Sequence, residues 1–292
     1  MSQSPAIVAL PDAHDRQVAV STFDRNMVVT AGAGMGVDSG LPDFRGNEGL
    51  WRAYPALGDV GMPFTSIASP AAFRSRPALA WGFYGHRLSL YRHTVPHQGF
   101  AVLRRWAARM PQGAFVFTSN VDGQFQRAGF EPAAIYECHG SIHHVQCLRP
   151  CSGAIWDADD FEPDVDVEAC ELRGAAPTCR HCGSLARPNV LMFGDGGWLD
   201  SRTAEQEQRL HAWLAHVERP VVVELGAGTA IPSVRHFGER LARRYRQGLV
   251  RINPREHAVP GTGDVSLALG ALEALLAIDA AVSARPPERH RR

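Results

Sequence analysis

Four cysteines, one histidine and a close amide–carboxylate pair carry most of the chemistry available to this sequence. Cys147-x3-Cys151 and Cys179-x2-Cys182 are separated by 27 residues. Two close thiol pairs suit a tetrahedral Zn²⁺ ion, and four thiolates close its coordination sphere, so such a site is structural. His139 stands in Glu137-Cys138-His139-Gly140, just after a short apolar run. An imidazole titrates near neutrality and suits a general base, although a lone histidine is more often structural. Asn120 and Asp122 lie in Thr118-Ser119-Asn120-Val121-Asp122. Such a pair suits a ligand bearing a carboxamide and hydroxyls; the alternative is an Asn/Asp helix cap. Gly32-Ala33-Gly34, then Gly36, follows Met27-Val28-Val29. A strand feeding a glycine turn and a helix start points N–H groups at an anion, usually a dinucleotide's phosphates. A turn that serves only packing is the other reading. Asp43, Phe44 and Arg45 put a carboxylate, an aromatic ring and a guanidinium on one short loop.

The elements that must position these groups alternate between strand and helix. Continuous apolar runs near 26–30, 115–117, 135–136, 220–225, 249–252 and 264–268 read as buried strands. Helical spacing at 99–110, 201–217, 233–246 and up to about 281 falls between them. Wholly apolar strands in this alternation predict an α/β fold, a Rossmann-like parallel sheet with helices on both faces. In such sheets the ligand lies beyond the carboxyl ends of the strands. TSNVD, ECHG, Gly226-Ala227-Gly228 and Ile252-Asn253 all stand there. Residues 49–98, rich in aromatics and broken by prolines, read as a helical insertion of several short helices. Residues 145–185 read as a small zinc-binding module whose acidic stretch, Asp157 to Glu171, forms a solvated loop. The Rossmann-like part takes 15–48, 99–144 and 186–283, with flexible tails at 1–14 and 284–292. Cys170 reads as a free thiol or spare ligand, Cys138 as a packing residue, and His143 and His144 as surface or zinc-module residues.

The 30 basic and 30 acidic residues cancel, which gives no electrostatic argument for nucleic acid or a membrane surface. No apolar run approaches the ~20 residues needed to span a bilayer. Residues 1–14 lack the pattern of an export signal. The six cysteines cluster between 138 and 182, which favours metal over disulfides and points to the cytoplasm. Nothing in the sequence sets an oligomeric state.

Five strings, in order, resemble the motifs of the sirtuins, NAD-dependent protein deacylases. They are GAGMGVDSGLPDFRG from Gly32, TSNVDGQFQRAG from Thr118, His139-Gly140, Pro188-Asn-Val190-Leu-Met192-Phe193-Gly194-Asp195, and Ile252-Asn253. The four-cysteine module falls at the family's position. The resemblance implies that NAD binds through Gly32, Ala33, Gly34, Asp43, Phe44, Arg45, Ser119, Gly226, Gly228 and Asn253, the last facing the adenosine ribose. It implies that Asn120 positions the nicotinamide ribose and a water, that Asp122 holds the carboxamide, and that His139 is the catalytic base. Val190, Met192, Phe193 and Gly194 would lie on a strand that pairs with an acylated protein or peptide entering between the zinc module and the main sheet. The products would be free lysine, nicotinamide and O-acyl-ADP-ribose. Ser119 replaces the family's glutamine, Gln124-Phe125 its Leu-His, and Gly226-Ala227-Gly228-Thr229 its Gly-Thr-Ser. These departures keep two alternatives open: an ADP-ribosyltransferase or NAD glycohydrolase, and a non-catalytic NAD-binding sensor.

Overall fold

The structure, a computed structural model, describes residues 26–43 and 46–283. Phe44, Arg45, both expected tails and the first residues of the expected 15–48 segment lie outside it. The strands are β1 (Met27–Ala31), β2 (Ala114–Thr118), β3 (Ile135–Glu137), β4 (Gly140–Cys147), β5 (Ile155–Asp157), β6 (Asp164–Asp166), β7 (Glu171–Arg173), β8 (Ala186–Val190), β9 (Val221–Leu225), β10 (Leu249–Ile252) and β11 (Val265–Leu267). Six of them form a parallel sheet in the order β11-β10-β9-β1-β2-β3. Met27 pairs with Val221 and Ala31 with Leu225, so β1 and β9 end together. All five residues of β1 and of β9 are buried, as strands covered on both faces must be. The polar members are internally matched: Arg251 of β10 meets Glu224 of β9 at 2.6 Å.

The described residues fall into two compact units. The first takes those of Met1–Asp38, His97–Phe117 and Trp213–Arg292. Its helices Gln98–Ala107, Ser233–Tyr245 and Ala271–Ser283 match the helical periodicity of the sequence. Val28, Val222, Leu241, Ala242 and Leu249 make a buried cluster there. Asp38 Oδ2 accepts the Leu272 N–H at 2.8 Å and caps the last helix.

The second unit takes Ser39–Pro96 and Thr118–Ala212. It cuts across the expected boundaries, because the chain turns at Gly140 into an antiparallel sheet, β5-β4-β8. The expected insertion is a run of short helices, among them Pro55–Asp59, Pro70–Ser75 and Pro77–His93. Proline opens each of these three, where its fixed φ suits the first helical position and its missing N–H costs nothing. Their aromatics are core: Tyr54, Phe73, Trp81, Phe83 and Tyr84 are at most 1 % exposed. The acidic stretch expected as a solvated loop is instead an antiparallel hairpin, β6–β7, docked on the helix Pro77–His93. A Cβ at Gly82 would fall 2.1 Å from the Cys170 carbonyl oxygen, so only glycine admits that approach. Arg92 donates to the carbonyls of Phe161 and Ala158, both at 2.7 Å. Cys170 is buried in this contact, 1 % exposed.

Candidate active site

In the second unit, the loop after β2 and the segment around His139 are tied together by backbone bonds. Thr118 Oγ1 accepts the Asn120 N–H at 3.0 Å, and the Thr118 carbonyl accepts the Cys138 N–H at 2.9 Å. The His139 ring hydrogen-bonds to the backbone of Ser119, and the His139 carbonyl accepts the Leu191 N–H at 2.9 Å. Gly140 has φ +79°, and a Cβ there would meet the Asn189 oxygen at 2.1 Å, so the glycine lets β4 join β8 at once behind the histidine. Burial holds His139 below the usual imidazole range, against a smaller upward pull from its bond to Ser119. It is therefore neutral near pH 7 and able to accept a proton.

Asp122 stands one residue ahead of Gly123, the N-cap position of the helix Gln124–Arg127, and its Oδ1 accepts the Gln124 N–H at 2.9 Å. Asp122 is 8 % exposed, and burial pushes its pKa up to about 6. His143 Nε2 donates to the Asp122 carbonyl at 3.0 Å, so this histidine, expected at the surface or in the zinc module, backs the aspartate. His144 pairs with Asp157 at 3.1 Å. Asn120 and Ser119 are half-buried on the same loop. The Cys138 thiol is pushed up to about 12 by burial, which suits packing and not nucleophilic attack.

Two positioning groups escaped sequence reasoning. Glu137, 1 % exposed, meets Arg202 at 2.5 Å and Gln206 at 3.3 Å. The helix Ser201–Leu214 thereby fixes the strand that leads to His139. The available signal was an acidic residue inside an apolar strand. Arg87, 8 % exposed, donates its Nε–H to Tyr91 Oη at 2.9 Å and lies 5.2 Å and 5.5 Å from the rings of Phe83 and Tyr84. It carries a buried cation into the helical insertion.

The segment after β8 differs from the strand expected to pair with a peptide. β8 stops at Val190 and is buried at all five residues, although it is the outer strand of β5-β4-β8. Met192 is buried, whereas Leu191 and Phe193 are 41 % and 39 % exposed on the following loop. A buried ion pair holds that loop: Arg187 and Asp195 meet at 2.8 Å with both side chains 0 % exposed. Asp195 also accepts the N–H groups of Met192 and Gly197 at 3.3 Å and 3.1 Å. Gly194 turns the loop with φ +65°. Gln146 and Asn189 grip its far side through Gly197 and Leu199.

The sulfur atoms of Cys147, Cys151, Cys179 and Cys182 all lie within 4.8 Å of one another. Cys147 and Cys182 are 3.8 Å apart, Cys151 and Cys179 3.6 Å. Tetrahedral coordination at a Zn–S distance of about 2.3 Å puts sulfurs about 3.8 Å apart, so the donor set fits zinc.

In the first unit, the glycine turn after β1 packs on the one after β9. Gly32 and Gly34 donate their N–H groups to Leu225 and Gly226, both at 3.0 Å. A Cβ on Gly34 would lie 2.6 Å from the Gly226 Cα, and Gly226 itself has φ +61°. The packing reading thus accounts for Gly32 and Gly34. Their N–H groups are not aimed at an anion, whereas Ala33 between them is exposed. The turn continues as a 3-10 helix, Ala33–Ser39, not an α-helix. Its Met35 carbonyl accepts the Nε2–H of His97 at 2.9 Å. Asn253, expected to face a ribose, is 1 % exposed and engaged both within its own loop and with the turn after β9. Its Nδ2 donates to Ala227 at 2.9 Å, and its Oδ1 accepts the N–H groups of Arg255 and Glu256, both at 3.0 Å. It shapes the end of β10. Asp43 is half-buried and Gly228 half-buried at its turn.

Comparison with known proteins gives a consistent picture. The profile of the Sir2 family matches residues 32–212. An NAD-dependent protein deacylase 2 of Pyrobaculum aerophilum is 32 % identical over 242 residues, covering 82 % of this chain and 84 % of that protein. An NAD-dependent protein deacylase 1 of Pseudomonas aeruginosa is 32 % identical over 250 residues, covering 81 % and 89 %. Among solved structures, a Sir2 homologue in complex with NAD superposes with a TM-score of 0.70 at 22 % identity, over 94 % of this chain and 95 % of that one; this likeness concerns the fold.

Proposed function

Because this chain belongs to the Sir2 family, we propose that it removes acyl groups from protein lysines with His139 as the base. The overall activity is NAD-dependent protein deacylation of the sirtuin type. NAD supplies a labile sugar–nicotinamide bond, and the acyl group leaves on ADP-ribose as nicotinamide and free lysine are released. His139 takes a proton from a ribose hydroxyl, because burial keeps its ring neutral and its bond to Ser119 fixes the ring. The Asp122 carboxylate, already held by the Gln124 N–H, accepts from the carboxamide, and Asn120 orients the ribose and a water. Asp43, with Phe44 and Arg45 beside it in sequence, excludes water from the reacting bond. Ala33, Ser119, Gly226 and Gly228 are residues that bind the dinucleotide, while Gly32, Gly34 and Asn253 hold the turns in shape. The acylated peptide runs along the exposed loop at Leu191–Gly194, with Val190 and Met192 beneath it. Cys147, Cys151, Cys179 and Cys182 hold a structural zinc ion. We place the protein in the cytoplasm, where such thiols stay reduced; among the described residues no helix is long and apolar enough to cross a membrane.

The observation that carries the reading is a neutral, half-buried imidazole bonded to the loop that bears Asn120 and Asp122. The test is incubation with NAD, with and without an acetyl-lysine peptide, while nicotinamide, deacylated peptide and acyl-ADP-ribose are followed. Peptide-dependent release in equal amounts supports deacylation. Nicotinamide release that ignores the peptide supports an NAD glycohydrolase, and ADP-ribose fixed to protein supports a transferase. Binding of NAD without turnover supports a sensor.

A further inference from the structure

One half-buried imidazole, His143, takes no part in the chemistry above. It belongs to β4, which holds the loop of Asn120 and Asp122 at two successive carbonyls. The Ile142 N–H donates to Val121 at 3.0 Å, and His143 Nε2 donates to Asp122 at 3.0 Å. Gly123 makes room for the ring. A Cβ there would meet His143 Nε2 and Cδ2, both at 2.8 Å, and its φ of +68° also favours glycine. The backbone of the histidine is set in turn, because its carbonyl accepts the Ala158 N–H at 2.9 Å and the Ala158 carbonyl accepts from Arg92 at 2.7 Å. Burial holds this imidazole below its usual range, helped by Arg92 and opposed by the Asp122 carbonyl, Glu137 and Asp159. A neutral ring has one N–H, and the Asp122 carbonyl takes it, which fixes the tautomer.

The Asp122 carboxylate is itself tied to the next turn, through the Gln124 N–H at 2.9 Å. It therefore moves only with the backbone that His143 pins, and a binding group is as precise as the bonds behind it. We propose that His143 is the positioning residue of the nicotinamide end: by holding the Asp122 carbonyl it sets how tightly the enzyme binds the carboxamide, both of NAD and of nicotinamide as a product. The inference rests on the proposed contact between Asp122 and that carboxamide. His139 is held separately, by Ser119 and by Leu191, so the effect falls on binding and not on proton transfer.

The test is steady-state kinetics of the full chain in NAD, with nicotinamide as inhibitor, on the wild type, His143→Phe, His143→Gln and His143→Asn. Phenylalanine keeps a ring without the donor. It should raise the KM for NAD and the nicotinamide inhibition constant together, by about three- to tenfold, with kcat within about twofold of the wild type. The glutamine amide reaches as far as Nε2 and should restore both constants to within about twofold. The asparagine amide reaches only as far as Nδ1 and should not. Thermal melting verifies the fold of each variant. Unchanged constants in His143→Phe, or equal losses in all three variants with kcat falling alongside, would overturn the assignment. Asp122→Asn at neutral pH separates this inference from the reading beneath it. Were its KM for NAD that of the wild type, the role of Asp122 would fail, and that of His143 with it.

Discussion

His139 and Asp122 are titratable groups whose surroundings move them in ways that set the pH dependence. Burial lowers the histidine, so its base form persists below the ordinary value of about 6.5. kcat should therefore stay level from about pH 8 down to about 6.5 and fall only at more acidic pH. A limb centred above pH 7 in a kcat profile would contradict this. Asp122, raised to about 6 by burial, loses its negative charge as pH falls through that value. The KM for NAD should accordingly rise below about pH 6, and Asp122→Asn should raise it about tenfold or more above that pH, with the two proteins converging as the pH falls below it. Steady-state kinetics on the two proteins checks both statements. At this scale the sequence was informative wherever a residue's chemistry is intrinsic. Two thiol pairs need no context to suggest zinc, and a histidine at a strand end needs little. The role of Glu137 was not legible, because its partners Arg202 and Gln206 are brought close only by folding, nor was that of the Arg187–Asp195 pair, whose burial the sequence does not announce.

The elements differ in how far local pattern determines them. β1, β2, β9 and β10 are continuous apolar runs, and their burial on both faces follows from that composition. β4 and β8 pair across some forty residues, and their register comes from the Gly140 turn and the buried Gln146–Asn189 bond at 2.9 Å. Neither leaves a periodic trace, so the antiparallel sheet went unseen. The β6–β7 hairpin was hidden by its acid-rich composition. The loop after β8 is shaped by the Arg187–Asp195 pair. Removing one partner alone, as in Asp195→Asn or Arg187→Met, should cost about 3–5 kcal/mol in chemical denaturation, because it strands a buried charge. Replacing both by apolar residues should recover most of that loss. The glycine turns are equally specific. Gly34→Ala should destabilise by about 1–3 kcal/mol, since its Cβ has only backbone to push against.

At the scale of the whole molecule, the second unit joins a helical insertion, an antiparallel sheet and a four-thiol cluster. No position among the four thiols is left for chemistry once a metal is bound. Chelation of zinc should therefore lower the thermal midpoint of the protein and abolish deacylation together, and added Zn²⁺ should restore both. Loss of activity with an unchanged melting curve would point instead to a catalytic metal. The fold class was legible from the alternation of strands and helices. The division into units was not, because it follows contacts between segments far apart in sequence.

The central claim is that one neutral imidazole at the end of β3 performs the proton transfer while other groups hold the cofactor. Its most direct measurement is the deacylation rate and the NAD affinity of His139→Ala in one preparation. The account predicts a rate lowered about 10²- to 10⁴-fold with NAD affinity within about threefold of wild type. Full deacylation by the variant would contradict it.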